Sequence, residues 1–296
     1  MLGSRRLLRL AMVIAGCTLG TGLRAGEIRV DPSLNSPPGA VFEGRIQTGD
    51  FDKVRNFVVG NNGVVEIYLA SPGGDLAEAI KIGWLIRLLR LSTVVPSEAL
   101  TNESRKLFAT KHNLQNPAAD YGCASACFFI FVAGIHRRHE EPGRPLLGIH
   151  RPSLSDNALK KLNSDQFSAV NVAVRTVIEG YMKQMGVPLA YVETMFAVPK
   201  KRIAWIKRDD FERDFEGFIP QLHNLAVTKC DRHGSAEQKT SSEPTFNAHS
   251  EERTAERSGD AALDKDRLVA CERALQAELA SRAHVEALEI REGKRP

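Results

Sequence analysis

The feature that most constrains the fold is a buried strand that ends in a glycine-rich turn. Residues 64–70 form a nearly continuous apolar run rich in β-forming residues, as expected for a parallel strand covered on both faces. The run stops at a Ser-Pro-Gly-Gly sequence, residues 71–74, after which apolar residues recur at helical spacing up to Leu89. Strand and helix patterns alternate in this way from Val41 to about Cys230. The sequence therefore predicts a mainly parallel α/β sheet with packed helices.

Further strand and helix patterns extend this prediction along the chain. Strands are predicted at residues 91–95 and 203–206, and helices at 128–132, 165–185 and 188–199. The residues expected on the inward face of the long helix at 165–185 are Val170, Val174, Val177, Ile178 and Tyr181. The polar segment at 97–121 interrupts the pattern and is interpreted as an insertion, either a lid or a helical excursion.

Composition separates three segments from the domain predicted for residues 41–230. Residues 26–40 are polar and proline-bearing, and they are interpreted as a lead-in. Residues 231–261 are rich in Ser, Thr, Glu, Arg and Gly with almost no large apolar residues, which predicts a flexible, disordered linker. One amphipathic C-terminal helix is expected over 262–290, because apolar residues recur there at helical spacing: Leu268, Cys271, Leu275 and Leu279.

The first 25 residues have the pattern of a targeting segment. Arg5, Arg6 and Arg9 form a basic start, an apolar stretch follows, and small residues lead to Ala25. We therefore expect a protein that is periplasmic or otherwise exported. The Ile-Ala-Gly-Cys sequence that ends at Cys17 resembles a bacterial lipoprotein box, and an uncleaved anchor is the other option. The cleavage point and membrane attachment through the N-terminus stay open.

Four cysteines follow the targeting segment: Cys123, Cys127, Cys230 and Cys271. In an oxidising compartment, four cysteines form two disulfides by one of three pairings. The local pairing, Cys123 with Cys127 and Cys230 with Cys271, is the least demanding and is the one that we expect.

Charge and histidine placement argue against nucleic-acid and metal binding. The chain has 40 basic and 36 acidic residues, and no basic stripe with interleaved aromatic residues is visible. His136 and His139 lie in a charged segment without cysteines at ligand spacing, so the segment is interpreted as a solvated loop. No metal, cofactor or nucleic-acid partner is expected.

Three short segments carry residue types suited to acyl-group chemistry. The glycines of residues 71–74 would let a backbone N–H approach a ligand closely. Ser125 stands in a Cys-Ala-Ser-Ala-Cys segment where a helix would begin. His150 ends a short apolar run, and a neutral imidazole beside a serine hydroxyl acts as its general base. Taken alone, each segment also has an ordinary interpretation as a turn, a helix cap or a structural histidine.

The order and spacing of these segments resemble the Clp-protease/crotonase superfamily over residues 41–219. The resemblance is nearest to the proteolytic subunit of Clp protease and the signal peptide peptidases, and to exported bacterial ClpP-like proteins with a Cys-x-Ser-Ala-Cys segment. In those enzymes a Ser-Pro-Gly-Gly loop follows a strand, and the nucleophilic serine opens a helix that runs on to an Ala-Gly pair, here residues 133–134. The base lies in an Ile-His-x-Pro segment, here residues 149–152. His150 follows Ser125 by 25 residues, which is the separation in the Clp subunits.

The resemblance implies a fold and the roles of four residues. The fold would be a ClpP/crotonase-like parallel β-sheet spiral with packed helices. Ser125 would be the nucleophile and His150 its general base. The backbone N–H groups of Gly74 and Ala126 would form the oxyanion hole.

One position departs from the family pattern. The Clp family places the acidic residue of its triad on the helix after the histidine, and the matching position here falls on or beside Met195. Glu193, Asp209 and Asp210 are nearby acidic residues, but none is in register. The signal peptide peptidases use a serine–lysine pair, and no lysine stands out at a matching position. Loss of the acid would leave the imidazole less well oriented.

The leading hypothesis is an exported, ATP-independent serine peptidase that acts on peptides or unfolded proteins and forms a homo-oligomer. The main alternative is a non-catalytic binding or scaffold protein on the same fold. An acyl transferase or thioester hydrolase is a third option, because the superfamily includes coenzyme-A enzymes, although export argues against coenzyme A. A trapped acyl-enzyme would separate a hydrolase from a scaffold.

Overall fold

The structure is a computed structural model, and it describes residues 25–35, 38–61, 63–98, 110, 121–141, 143–152, 163–199, 202–236 and 253–291. The predicted targeting segment lies outside the described residues except for Ala25. Most of the insertion predicted at 97–121 and the centre of the predicted linker also lie outside them. None of the helices in the described part of the chain is both long and apolar enough to cross a membrane.

The described residues fold into two sheets with packed helices, which confirms the α/β class. The strands are β1 (Glu27–Asn35), β2 (Pro38–Glu43), β3 (Glu66–Ala70), β4 (Ser92–Val95), β5 (Cys123–Ala124), β6 (His136–His139), β7 (Leu147–Ile149), β8 (Ala204–Trp205) and β9 (Gly217–Phe218). The helices are α1 (Asp50–Gly60), α2 (Leu76–Leu88), α3 (Ala126–Phe131), α4 (Ser164–Gln184), α5 (Ala190–Ala197), α6 (Arg208–Asp214), α7 (Pro220–Ala236) and α8 (Arg253–Arg291).

The larger sheet is parallel at its centre and antiparallel at its edges. Its strand order is β1-β2-β3-β4-β6-β9, with parallel pairing from β2 to β6 and antiparallel pairing at β1 and β9. The smaller sheet has the order β5-β7-β8, with β5 and β7 parallel. An isolated parallel bridge from Ser71 to Cys123 connects the end of β3 to β5. The ends of β3, β5 and β7 are thereby brought to one edge.

Residues 27–35 and 38–40 of the segment interpreted as a lead-in are instead part of the larger sheet. They form β1 and the beginning of β2, which pair as an antiparallel hairpin. Polar side chains are accommodated there by cross-strand pairing, since Arg29 donates to Glu43 at 3.2 Å. An edge strand of this kind lacks the continuous apolar run of a central parallel strand, which is why composition alone suggested a lead-in.

Helix α4 confirms the long helix predicted at 165–185. A capping box between Asn163 and Gln166 fixes its start. Ile178 and Tyr181 are buried, and Val174 packs against the core. Val177 is 56% exposed, so its predicted inward position was wrong. It lies one residue, or about 100° around the helix, from the buried Ile178.

The interpretation of residues 136–139 as a solvated loop was also wrong, because these residues form β6, a strand inside the larger sheet. Arg137 and His139 are only 2% and 3% exposed. Burial lowers the pKa of His136 to about 4, with the nearby guanidinium groups of Arg138 and Arg273 contributing, so its imidazole is neutral at pH 7.

Arg137 supports the core by binding carbonyl groups. Its guanidinium donates to the backbone oxygens of Val132, Gly134 and Met185 at 2.5–3.1 Å. These carbonyls follow α3 and α4, where the last backbone acceptors of a helix lack intrahelical donors. Burial, and next the charge of Arg87, lowers the pKa of Arg137 to about 9, so it remains a cation at pH 7.

The C-terminal helix α8 belongs to the same packed body. A disulfide between Cys230 and Cys271 joins α7 to α8. Leu275 and Leu279 are buried in an apolar cluster that includes Ile135, next to the start of β6. The predicted linker is helical at both ends, since α7 continues to Ala236 and α8 begins at Arg253. Because α8 packs at the amino ends of the strands, it lies away from the edge where β3, β5 and β7 end.

Replacing Arg137 with Met should destabilise the fold by about 3–5 kcal/mol, because three buried carbonyls lose a charged donor. Urea unfolding monitored by circular dichroism measures this change. Arg208→Met is the matched control, since Arg208 is 46% exposed and its ion pairs should contribute less than about 1 kcal/mol. Equal effects of the two substitutions would contradict the role given to Arg137.

Candidate active site

Ser125 lies at a sharp bend between strand β5 and helix α3, and residues 123–127 form what we call the Ser125 elbow. Its backbone angles, φ 59° and ψ −122°, lie in a region that residues with a side chain rarely adopt. Such a conformation costs about 1–3 kcal/mol and persists only where surrounding contacts enforce it. Ser125 occupies the N-cap position of α3, yet its side chain makes no capping hydrogen bond. The helix-cap interpretation of this serine is therefore not supported.

Backbone hydrogen bonds hold the elbow on both sides. The Ser125 N–H donates to the Gly148 carbonyl at 2.9 Å, and the Cys123 N–H donates to the Leu146 carbonyl at 2.9 Å. On the other side, the Ala124 N–H donates to the Ser71 carbonyl at 3.0 Å. The elbow is thus fixed between the end of β3 and strand β7.

The Ser-Pro-Gly-Gly turn, residues 71–74, packs directly against this elbow, and we call it the glycine turn. A Cβ on Gly73 would lie 2.6 Å from the Ser125 Cβ and 2.8 Å from the Ala126 amide nitrogen. Gly73 also has a φ of +91°, which disfavours any other residue. A Cβ on Gly74 would lie 2.0 Å from the Ile46 carbonyl oxygen. Both glycines are required by close backbone approach.

Two backbone N–H groups near Ser125 are not used by regular secondary structure. The Gly73 carbonyl accepts a hydrogen bond from the Ile46 N–H at 2.9 Å. Because a trans peptide directs its N–H opposite to its carbonyl, the Gly74 N–H points away from Ile46. Ala126 is the first residue of α3, so its N–H has no acceptor within the helix. These are the two groups that the sequence pointed to as oxyanion donors.

His150 immediately follows β7 and is partly exposed. Its Nδ1 lies 2.8 Å from the Arg151 carbonyl oxygen. In the tautomer that carries the proton on Nδ1, this nitrogen donates to the carbonyl and Nε2 is left as a proton acceptor. Arg151 is itself anchored, because its guanidinium donates to the Phe196 carbonyl, with Nε at 2.7 Å. The histidine is therefore oriented by a backbone carbonyl next to helix α5.

The position expected for a triad acid holds a buried methionine. Met195 lies in α5 and is 1% exposed. Glu193 is paired with Arg175, and Asp210 with Arg213. These two neighbouring carboxylates are thus engaged by arginines. The described residues contain no group of three or more His, Cys, Asp or Glu side chains that could hold a metal ion.

The cysteines form the two local disulfides expected from the sequence, Cys123–Cys127 and Cys230–Cys271. The first crosses the Ser125 elbow, with its Cα atoms 5.3 Å apart and both residues fully buried. Two disulfides are consistent with an exported protein.

Three features of this region had no clear signal in the sequence. They are the strained backbone of Ser125, the contact of the glycine turn with Ile46, and the anchoring of Arg151 on α5. The last two join segments that are distant in sequence.

Comparison with known proteins gives no close relative. No family model matches the chain, and no curated protein matches it. Among solved structures, a mutant of the 1510-N membrane-bound stomatin-specific protease is similar over 63% of this chain and 80% of that one. The sequence identity is 13% and the TM-score is 0.36. So remote a likeness carries no conclusion about activity.

Replacing Gly73 with Ala should destabilise the protein by about 3 kcal/mol, because a positive φ and a backbone clash act together. Urea unfolding of the two proteins measures the loss. Gly180→Ala is the control, since a Cβ there meets nothing within 4 Å inside helix α4. That change should stabilise the protein by up to about 1 kcal/mol. An unchanged free energy of unfolding in Gly73→Ala would contradict the close packing of the glycine turn against the Ser125 elbow.

Proposed function

We propose that this protein is an exported serine hydrolase of ClpP/crotonase-like fold that acts as an ATP-independent peptidase. The observation that carries the proposal is the geometry of Ser125, which is held at φ 59° on a strand-to-helix bend and whose side chain makes no capping hydrogen bond. Strained serines at such bends are typical of nucleophiles, because the bend exposes the hydroxyl at the end of a sheet. The carboxyl ends of parallel strands are also where α/β proteins usually bind ligands.

In the proposed reaction the Ser125 Oγ attacks the scissile carbonyl while its proton passes to Nε2 of His150. The negative charge that forms on the carbonyl oxygen is stabilised by the N–H groups of Gly74 and Ala126. Collapse of this intermediate breaks the C–N bond, and the leaving amine takes the proton from His150. Water then attacks the acyl-enzyme and gives a proton to His150, the C–O bond to Ser125 breaks, and Oγ takes that proton as the acid product leaves.

The Arg151 carbonyl takes the place of the missing acid in this mechanism. It accepts a hydrogen bond from the Nδ1–H group of His150 and so favours the tautomer in which Nε2 is free to take a proton. The Arg151 side chain keeps that carbonyl in place through its contact with Phe196. A carbonyl is neutral, so it orients the imidazole but stabilises the imidazolium less than a carboxylate does.

The substrate class follows from the proposed location. An exported enzyme has no ATP-driven unfoldase to deliver folded proteins, so its substrates are short peptides or proteins that are already unfolded. We also propose a homo-oligomer, by analogy with the family that the sequence resembles. Attachment to the membrane through the N-terminus is compatible with this function.

A non-catalytic scaffold is the second candidate, and the buried Met195 favours it. A chain without the triad acid keeps the fold but not the reaction when nothing replaces the acid. The scaffold and the hydrolase differ in one measurable property, namely whether Ser125 forms a covalent adduct.

Labelling of the purified protein with a fluorophosphonate probe should be lost in Ser125→Ala and reduced by at least about 100-fold in His150→Ala. Gel fluorescence and intact mass measure the adduct. Ser168→Ala and His223→Ala are matched controls at exposed helical positions and should label like the wild type. No labelling of folded wild-type protein with both disulfides intact would reject the hydrolase and favour the scaffold.

Arg151→Ala should lower the maximum labelling rate by about tenfold, because a displaced imidazole aligns poorly with the hydroxyl. The urea midpoint should stay unchanged, since Arg151 is exposed. Arg202→Ala, at another exposed position, is the control. Equal labelling rates for Arg151→Ala and Arg202→Ala would remove Arg151 from the mechanism.

A further inference from the structure

We propose that the Cys123–Cys127 disulfide positions Ser125 and restricts its reactivity to chains that folded in an oxidising environment. The inference rests on the proposed function of Ser125 as a nucleophile. It assigns to this disulfide a role that differs from general stabilisation, and it makes activity dependent on the compartment in which the chain folds.

The disulfide closes around the strained residue. Cys123 lies in β5 and Cys127 in the first turn of α3, two residues to either side of Ser125. The backbone of Ser125 would relax to an ordinary conformation if its flanks could separate. Its side chain makes no capping hydrogen bond to the first turn of α3. The cross-link is therefore the covalent restraint that keeps the flanks of the elbow together.

Helix α3 cannot supply this restraint alone. It has six residues, and a helix of this length is not stable without tertiary contacts. All six side chains are buried, so packing holds the body of the helix, but its first turn carries the elbow. The glycine turn contacts that first turn at the Ala126 nitrogen. A small shift of Ala126 would move one proposed oxyanion donor together with the nucleophile.

The burial of both cysteines determines when the disulfide can form. Each is 0% exposed, so thiols and disulfides in solution do not reach the sulfur atoms of the folded protein. The bond must form before the core closes. One cysteine thiolate attacks a disulfide oxidant such as glutathione disulfide, which releases one glutathione thiol and forms a mixed disulfide. The second cysteine thiolate then attacks the cysteine sulfur of the mixed disulfide, which forms the Cys123–Cys127 bond and releases the second glutathione thiol. The two cysteines lose two protons and two electrons, and the oxidant is reduced to two thiols. The redox conditions during folding therefore determine whether the folded protein contains the Cys123–Cys127 disulfide.

The second disulfide of the chain provides a matched control. Cys230–Cys271 joins α7 to α8, at the end of the molecule opposite the strand ends that carry Ser125. Its loss should lower stability without moving the elbow. Removing each disulfide in turn therefore distinguishes an effect on the position of Ser125 from an effect on the stability of the fold.

The test compares the wild-type full chain with Cys123→Ala/Cys127→Ala and with Cys230→Ala/Cys271→Ala. Fluorophosphonate labelling is resolved into a maximum rate and a half-saturating probe concentration, each per folded molecule. We expect the elbow variant to lose at least about tenfold in maximum rate. The control variant should keep the wild-type rate and show a lower urea midpoint. Cys123→Ala/Cys127→Ser is a second variant that lacks the same disulfide, and it is used if the double-alanine variant does not fold.

Hydrogen exchange of the segment 121–133 gives a readout that does not depend on activity. In the wild type the Ser125 N–H is bonded to Gly148, so exchange there should be slow, and it should accelerate locally in the elbow variant. Unchanged exchange and labelling in that variant would overturn the proposal. If the wild type does not label at all, both the proposed function and the restriction of reactivity are rejected. Hydrogen exchange then still tests whether the disulfide holds the backbone of Ser125 in position.

The dependence on folding conditions is tested on the wild type alone. Folded protein treated with dithiothreitol should keep the elbow disulfide, as measured by iodoacetamide alkylation and mass spectrometry, and should keep labelling. Protein refolded from the reduced state without glutathione disulfide should label at least about tenfold more slowly. Reduction of the Cys123–Cys127 disulfide in the folded protein would overturn the claim that the conditions during folding determine whether this bond is present.

Discussion

The close backbone contact between the glycine turn and the Ser125 elbow is the constraint on which the rest of the site depends. The approach of Gly73 to Ser125 leaves no room for a side chain, so the ends of β3 and β5 must meet in one register. The Gly73 carbonyl of the same turn accepts a hydrogen bond from the Ile46 N–H. The next residue, Asp75, donates its N–H to the Ile46 carbonyl and caps helix α2 by accepting from Ala77 at 2.9 Å. One short segment therefore sets the positions of a strand end, a helix start and the elbow.

The helices behind the site are packed as closely as the turn in front of it. Gly83 of α2 allows Tyr181 of α4 to reach the Phe129 carbonyl of α3, with a hydrogen bond of 2.7 Å. A Cβ on Gly83 would lie 1.9 Å from that hydroxyl oxygen. Arg137 then binds the carbonyls that follow α3 and α4. Helix α3 is thus held from several sides, which compensates for its short length and supports the strained backbone of Ser125, the residue that precedes it.

Most of the fold could be predicted because its signals are local. The apolar run before the glycine turn, the helical spacing after it and the Cys123–Cys127 pair can be recognised within short windows of the chain. The β1–β2 hairpin and β6 could not, because polar residues such as Arg29 and His139 are buried by partners from other segments. The inward positions predicted for α4 are confirmed at Val174, Ile178 and Tyr181, whereas Val177 is exposed, because the rotation of the helix against the core cannot be predicted from its spacing alone.

The segments that form the candidate site could be predicted from the sequence, but the distances and orientations of their groups could not. The sequence marked a missing acid at Met195, and no pattern could indicate that a backbone carbonyl lies within 2.8 Å of the His150 ring. In the proposed mechanism this substitution has a consequence for the whole site. A neutral acceptor contributes less to the charged transition state than a carboxylate, so more of the rate must come from the alignment of the nucleophile and the two N–H donors. A site that depends on alignment in this way gains most from a covalent restraint at the elbow, which is where the disulfide lies.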